Sequence, residues 1–127
     1  LKLYRMKCLL PFKLPGNEII DSTSFNYSFI NFANKRIFPY LSSRTTTDNL
    51  TGLTETQTIS SFDNYGNPRS IQTNKGGLTE NQTISYIQKG SWIRNKPDSI
   101  TTVMTYDGQS ETRKIKYLYD DVSGNLT

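Results

Sequence analysis

The chain has 127 residues, enough for one domain of ordinary size with a modest core, but its hydrophobic share of 34% is low for a compact globule. The formal charge of +4 comes from Lys and Arg scattered along the chain, adjacent only at Lys35-Arg36 and Arg113-Lys114, so the basic stripe that nucleic acid requires is missing and no nucleic-acid partner is expected. Cys8 is the single cysteine and there is no histidine, which excludes an internal disulfide, a Cys/His zinc site and a histidine-based triad within the chain.

No run approaches the roughly 18 apolar residues that a membrane helix needs, and Met6 to Phe12 is broken too soon by Pro11 and Lys13 to be the core of a signal peptide. The chain starts at Leu1 and stops at Thr127 inside a recurring motif, so the expectation is a piece of a longer protein whose export signal lies elsewhere. Eight Tyr and abundant Thr and Ser suit half-wet β-sheet surfaces, and no segment has an apolar period of 3.6, so the fold class expected is all-β with little or no helix.

Residues 1 to about 21 read as one short strand and a loop, with a turn at Leu14-Pro15-Gly16-Asn17. From Ser24 the pattern sharpens. Phe25, Tyr27 and Phe29 alternate with Ser24, Asn26 and Ser28, which places three aromatics on one face of a strand. Such a stripe can stack on a sugar, but it is more often core. Asn31 to Arg36 breaks the alternation. Pro39 lacks a ladder donor and implies an edge, a bulge or a crossover. Ser42 to Thr47 resumes as a strand, and Asp48 to Gly52 turns the chain. Residues 1–50 thus form an N-terminal β segment of loosely marked boundary, ahead of a more regular part spanning 51–127.

The regular part opens on an internal echo. Gly52-Leu53-Thr54-Glu55 returns as Gly77-Leu78-Thr79-Glu80, and Gln57-Thr58-Ile59-Ser60 returns as Gln82-Thr83-Ile84-Ser85. The first copy runs into Phe62-Asp63, turns through Asn64 to Asn67 and comes back as Arg69 to Thr73. Gly66 can supply a positive φ there, and the Asp and Asn side chains of the turn can bond nearby backbone. Asn74 to Gly77 turns the chain into the second copy, giving a meander of antiparallel hairpins. Lys89 to Pro97 interrupts it with the only tryptophan, Trp92, expected to cover a sheet end. Asp98 to Tyr106 and Gln109 to Tyr119 then form a hairpin about Asp107-Gly108, a type I′ signal. In the return strand Ile115, Tyr117 and Tyr119 share one side and Lys114 and Lys116 the other, so one face is expected packed and one wet.

Few residues stand out as chemistry. Asp63, Asp107, Asp120 and Asp121 sit beside Gly or Asn in turns, but none has the spacing of an EF-hand calcium loop, and Asx-turn formation explains them. No carboxylate pair, nucleophile elbow or phosphate-binding Gly loop is nominated, so the expectation is no enzyme, no catalytic residue, no metal and no cofactor. The N-x-[ST] matches at Asn26, Asn49, Asn81 and Asn125 are commonplace in a chain so rich in these residues. Trp92 and Tyr117 are the candidate ligand contacts if the sheet binds carbohydrate or a neighbouring protein.

The segments Phe62-Asp63-Asn64-Tyr65-Gly66-Asn67-Pro68 and Tyr117 to Thr127, with Tyr119, Asp120, Gly124 and Asn125 at its key positions, resemble the YD repeat, Y-x-Y-D-x-x-G-N-L-T. The segments Phe38 to Ser43 and Ser91 to Ile100 are similar to those that precede and separate YD repeats in the B components of insecticidal toxin complexes. Phe62 stands for the usual Tyr, Pro68 for Leu, and the second turn has one extra residue. The resemblance to RHS/YD-repeat proteins spans about residues 35 to 127. It implies a strip of hairpins in a spiralling β-shell, flanked by further repeats of the same polypeptide. It also implies a secreted or cell-surface setting and an enclosed toxin domain or toxin-complex subunit. The family's processing motif has no match here. The other reading is a surface module that binds carbohydrate or protein.

Overall fold

A computed structural model of the chain describes residues 12–13, 19–31, 37–87, 95–120 and 126. They form one antiparallel sheet in which every strand pairs with its neighbour in sequence, an eight-stranded meander ordered β1 to β8. The strands are β1 (Phe12–Lys13), β2 (Ile19–Asn31), β3 (Ile37–Asp48), β4 (Thr54–Phe62), β5 (Pro68–Lys75), β6 (Leu78–Tyr86), β7 (Pro97–Tyr106) and β8 (Gln109–Lys116). The all-β expectation holds, and the described residues contain no helix. No helix among them is therefore long and apolar enough to cross a membrane.

Local chemistry sets each reversal. Gly76 and Gly77 have φ of 54° and 83°, and Asp107 and Gly108 have 49° and 74°, so two-residue turns join β5 to β6 and β7 to β8. Two positive φ values are the type I′ geometry, whose twist matches that of the strands it joins. The echoed segments occupy equivalent places on either side of β5, as β4 and β6, each entered through a glycine of positive φ, Gly52 or Gly77. Pro39 lies in the part of β3 that pairs with β2 only, because the β3–β4 ladder covers Ser43 to Thr47. It thus has an open edge on one side, where a missing N–H costs nothing.

Alternation and register together sort the side chains of β2 to β7 into two unlike faces. One face carries Asn26 opposite Ser43, Thr45 opposite Thr56, Thr47 opposite Thr54, Gln72 opposite Asn81, Ser85 opposite Ser99 and Thr101 opposite Thr83. From Ser22 to Thr105 these positions hold hydroxyl and amide side chains apart from Val103, except at the far end of β2 and β3, where alternation along β2 puts Ile30, opposite Phe38, and Ser28, opposite Tyr40, on the same side. The other face holds the ionic groups of the same strands, among them Arg44, Glu55, Lys75 and Glu80, together with a row of isoleucines. In that row Ile59 faces Ile71, Ile84 faces Ile100 and Ile100 faces Ile115, with Ile71 diagonal to Ile84.

The expected packed face is not there. Ile84, at 8% exposure, is the one buried hydrophobic residue among those described, and Ile115 is 46% exposed. All eight residues of β8 are exposed, and the strand ends at Lys116 rather than at Tyr119. A sheet becomes a core only when a second layer covers it, and no second layer exists among the described residues. For the same reason Tyr27, read as part of an aromatic core stripe, is 44% exposed. Trp92, expected over a sheet end, lies outside the described residues, as do Cys8, Asp121, Gly124 and Asn125.

Candidate functional site

The first repeat-motif turn is built around one carboxylate. Asp63 Oδ1 accepts the backbone N–H groups of Tyr65 at 2.8 Å and Asn67 at 2.9 Å, and Oδ2 accepts Asn67 Nδ2 at 2.9 Å. The backbone closes around it, with the Asp63 N–H donating to the Asn67 carbonyl at 2.9 Å and the Gly66 N–H to the Asp63 carbonyl at 3.1 Å. Gly66 adopts φ of 88°, and its α-carbon faces the Phe38 ring so closely that an added Cβ would sit 3.1 Å from it. Phe62, opposite Pro68, stacks at a tilt against Tyr40 with ring centres 4.3 Å apart and meets Phe38 edge-on at 6.1 Å. The motif residues Phe62, Asp63, Gly66 and Asn67 thus form one turn with an aromatic floor.

Asp48 plays the same part between β3 and β4, which sequence reading recorded only as a turn. Its Oδ1 accepts the N–H groups of Leu50 at 2.9 Å and Thr51 at 3.3 Å, and its Oδ2 accepts the Thr51 hydroxyl at 2.6 Å. The available signal was the Asp-Asn pair ahead of a glycine, shared by Asp48-Asn49 and Asp63-Asn64.

The pKa shifts follow from these contacts. The Thr51 hydroxyl and the Leu50 amide hold Asp48 below the ordinary carboxylate value. At Asp63 partial burial pulls upward, but the Asn67 side chain, the amides of Asn67 and Tyr65 and the charge of Arg69 outweigh it, leaving a net lowering. A carboxylate depressed on folding stabilises the fold above its unfolded pKa, and that contribution disappears as pH falls through the folded value. Stability is therefore expected to fall below pH 3.8, the ordinary value for both groups, as acid titration followed by circular dichroism would register. Asp63→Ala should cost about 1–2 kcal/mol in urea unfolding at neutral pH, less than a buried charged hydrogen-bond network because the turn is partly wet. It should also flatten the acid limb. An unchanged acid limb would rule Asp63 out as its source.

The second motif is described in part. Tyr119 forms an isolated antiparallel bridge with Leu126, the counterpart of the Phe62–Pro68 pair with one more residue between. The Tyr119 hydroxyl donates to the Pro97 carbonyl at 2.9 Å, and the Tyr86 hydroxyl donates to the Pro68 carbonyl at 2.7 Å. Tyr86 is the last residue of β6 and Tyr119 lies three residues beyond β8, and each ties its hairpin arm to the first residue of the preceding strand. Burial raises the pKa of both phenols, with Asp63 adding to it at Tyr86, and Tyr117 and Asp98 at Tyr119. The Lys96 ammonium lies 5.2 Å from the centre of the Tyr119 ring. Asp120 is exposed, and Tyr117 is half-buried with its N–H donating to the Asp98 carbonyl at 2.8 Å. Trp92, the other candidate ligand contact, lies outside the described residues.

Chemically, these turns are closed. Every oxygen of the Asp48 and Asp63 carboxylates is engaged by its own turn, and the described residues contain no group of three or more potential metal ligands. The broad feature is the neutral face. Its opposed pairs are bonded to each other across the strands: Asn26 to Ser43 at 2.8 Å, Thr45 with Thr56 at 3.3 Å, Gln72 to Asn81 at 2.9 Å, Ser85 with Ser99 at 2.8 Å and Thr105 with Ser110 at 2.9 Å. Sequence reading missed it, although each strand carried the signal as Thr, Ser, Asn or Gln at every second position. Comparison of the chain with known protein families, characterised proteins and solved structures gave no match.

Proposed function

We propose that the chain is a non-enzymatic wall segment of an RHS/YD-repeat β-shell in a secreted or cell-surface protein. Flanking repeats of the same polypeptide extend the sheet, and the neutral face lines a space that holds a toxin polypeptide or toxin-complex subunit. The observation that carries this reading is the segregation of charge: the ionic groups of β2 to β7 and the isoleucine row share one face, and the other face is neutral and polar. A lining of this kind stays hydrated across β2 to β7, with its apolar groups gathered at one end around Ile30 and Phe38 and its charges confined to Lys114 and Lys116 on β8, so most of its area neither traps an unfolded chain nor binds a charged one. Its hydroxyls and amides already satisfy one another, so they compete weakly for a cargo's backbone.

The test uses the full-length polypeptide with single cysteines on each face and a bulky maleimide that cannot enter a closed shell. Thr56→Cys and Thr101→Cys, on the neutral face, should react far more slowly than Gln57→Cys on the ionic face, and denaturation should abolish the difference. Equal rates in the native protein would sink the shell reading. Saturable quenching of Trp92 fluorescence by oligosaccharides would put the carbohydrate-binding module in its place.

A further inference from the structure

The β7–β8 turn sets an unengaged carboxylate beside an unhindered backbone amide. Asp107 has φ of 49°, the one positive value outside glycine among the described residues, and Gly108 follows with 74°. Both residues are exposed. Among the described residues the Asp107 carboxylate takes part in no hydrogen bond or ion pair, and the Gly108 N–H donates to no acceptor. A Cβ built on Gly108 would meet nothing within 4 Å, so the nitrogen is open to approach.

Other aspartates are held away from such chemistry. Both oxygens of Asp48 and of Asp63 are bound by their own turns, and each is followed by a residue with a side chain, Asn49 or Asn64. Asp21 and Asp98 lie inside β2 and β7, where extended backbone keeps ψ near about +135°. Closing a ring between an aspartate side chain and the next amide eclipses Cβ with that nitrogen, which for an L residue means ψ near about −120°, the value at the first position of a type II′ turn. Asp107 already has the positive φ of that position. Rotating the peptide between residues 107 and 108 converts type I′ to type II′, both favoured hairpin connections, and Gly108 accepts the change of sign in its own φ.

We propose that Asp107-Gly108 is a self-modification site, at which the folded hairpin converts its own aspartate to isoaspartate through a succinimide. The Gly108 nitrogen bonds to Asp107 Cγ, and the amide proton leaves with the carboxyl hydroxyl as water. Hydrolysis returns that water. Opening at the side-chain carbonyl restores aspartate, whereas opening at the main-chain carbonyl leaves Cγ bonded to the Gly108 nitrogen and a free carboxylate on the Asp107 α-carbon. No oxidant, metal or second protein takes part.

The isoaspartyl linkage adds one atom to the main chain of a two-residue loop. The Tyr106–Gln109 pair closes that loop, so the added atom loosens β8 from β7, beginning at the turn. The neighbouring Gly76-Gly77 turn carries no carboxyl and keeps its geometry. A further strand laid along β8 would run beside the ladder and leave the turn, which projects past it, open. The step is therefore independent of the shell reading.

The protein is kept folded at physiological temperature for weeks and then digested. Isoaspartate is located by electron-transfer fragmentation and counted by methyl transfer from S-adenosylmethionine with an isoaspartyl methyltransferase. It should accumulate at Asp107 ahead of Asp48, Asp63 and Asp98, at a rate within about tenfold of that in the urea-unfolded chain, because the turn exchange adds little to the barrier. Asp107→Asn should form the same imide faster, with ammonia leaving, since a side-chain amide is a better electrophile than a carboxylate. Asp107→Gly, which accepts the positive φ, should stay folded and form none. Gly108→Asn, a residue that tolerates positive φ, puts a side chain beside the attacking nitrogen and should slow the reaction at least about tenfold. In the aged protein β8 amides should lose hydrogen-exchange protection while β4 to β6 keep it. Isoaspartate that is absent from the folded protein, spread evenly over the aspartates, undiminished in Gly108→Asn or without effect on β8 exchange would overturn the proposal.

Discussion

Gly66→Ala is expected to destabilise the protein by about 2–3 kcal/mol, the largest effect of any single methyl added to a turn. Two costs add. The backbone holds φ of 88°, which an L side chain resists by about 1–2 kcal/mol. The new methyl would also stand 3.1 Å, 3.2 Å and 3.3 Å from three atoms of the Phe38 ring, which is held in place by its contact with Phe62. Gly52→Ala separates the two costs, because Gly52 has a similar φ of 73° and nothing within 4 Å of the added atom. Urea midpoints should therefore fall more for Gly66→Ala than for Gly52→Ala, and Phe38→Leu should narrow the gap. Equal effects at the two glycines would mean that Phe38 does not constrain the turn. The result bears on the scaffold directly, since this contact is where the repeat motif grips the neighbouring β3.

The second large effect is expected at Ile84→Ala, about 2 kcal/mol, the low end of the range for core truncations. Ile84 sits at the middle of the isoleucine row, opposite Ile100 and diagonal to Ile71, and is 8% exposed. In a single-layer sheet there is no facing layer to leave a cavity against, so the loss is mainly of cross-strand contact and of apolar area returned to water. Ile115→Ala, in the same row but on the edge strand and 46% exposed, should cost about 0.5 kcal/mol or less. Hydrogen exchange gives an independent readout: amides of β6 and β7 should lose protection in Ile84→Ala while the β2–β3 ladder keeps it. A loss shared evenly by all strands would show instead that the sheet opens as one unit.

Much of this architecture was legible because β-structure is punctuated by short-range chemistry. Asp107-Gly108, Gly76-Gly77 and the Asp63 turn each fix a reversal within a few residues, and the alternation through residues 53 to 119 follows the pleat. The echo of Gly52 to Ser60 in Gly77 to Ser85 became two strands in equivalent positions on either side of β5. Asp63 was legible as the residue that closes a hairpin. That both of its oxygens are used in doing so, and that Phe38 from another strand limits Gly66, depends on contacts from distant parts of the chain.

The failures have one origin. Alternation tells which residues of a strand share a side, and so points to the side holding Ile115 as the one to be packed. Whether a second layer covers that side is not written in the strand. Likewise each strand showed its polar positions, but only register decides that Thr45 meets Thr56, Gln72 meets Asn81 and Ser85 meets Ser99, because a slip of one residue would mix neutral and ionic faces.

By itself, then, the sequence determined the strands, the turns between them and the absence of histidine and paired cysteine chemistry, all properties set within a few residues of backbone. The tertiary structure alone decided that the neutral side chains collect on one face and that Ile84 is buried while Ile115 is not. Those are properties of strands laid side by side, where the energy depends on which residues oppose each other and on which surfaces remain in water.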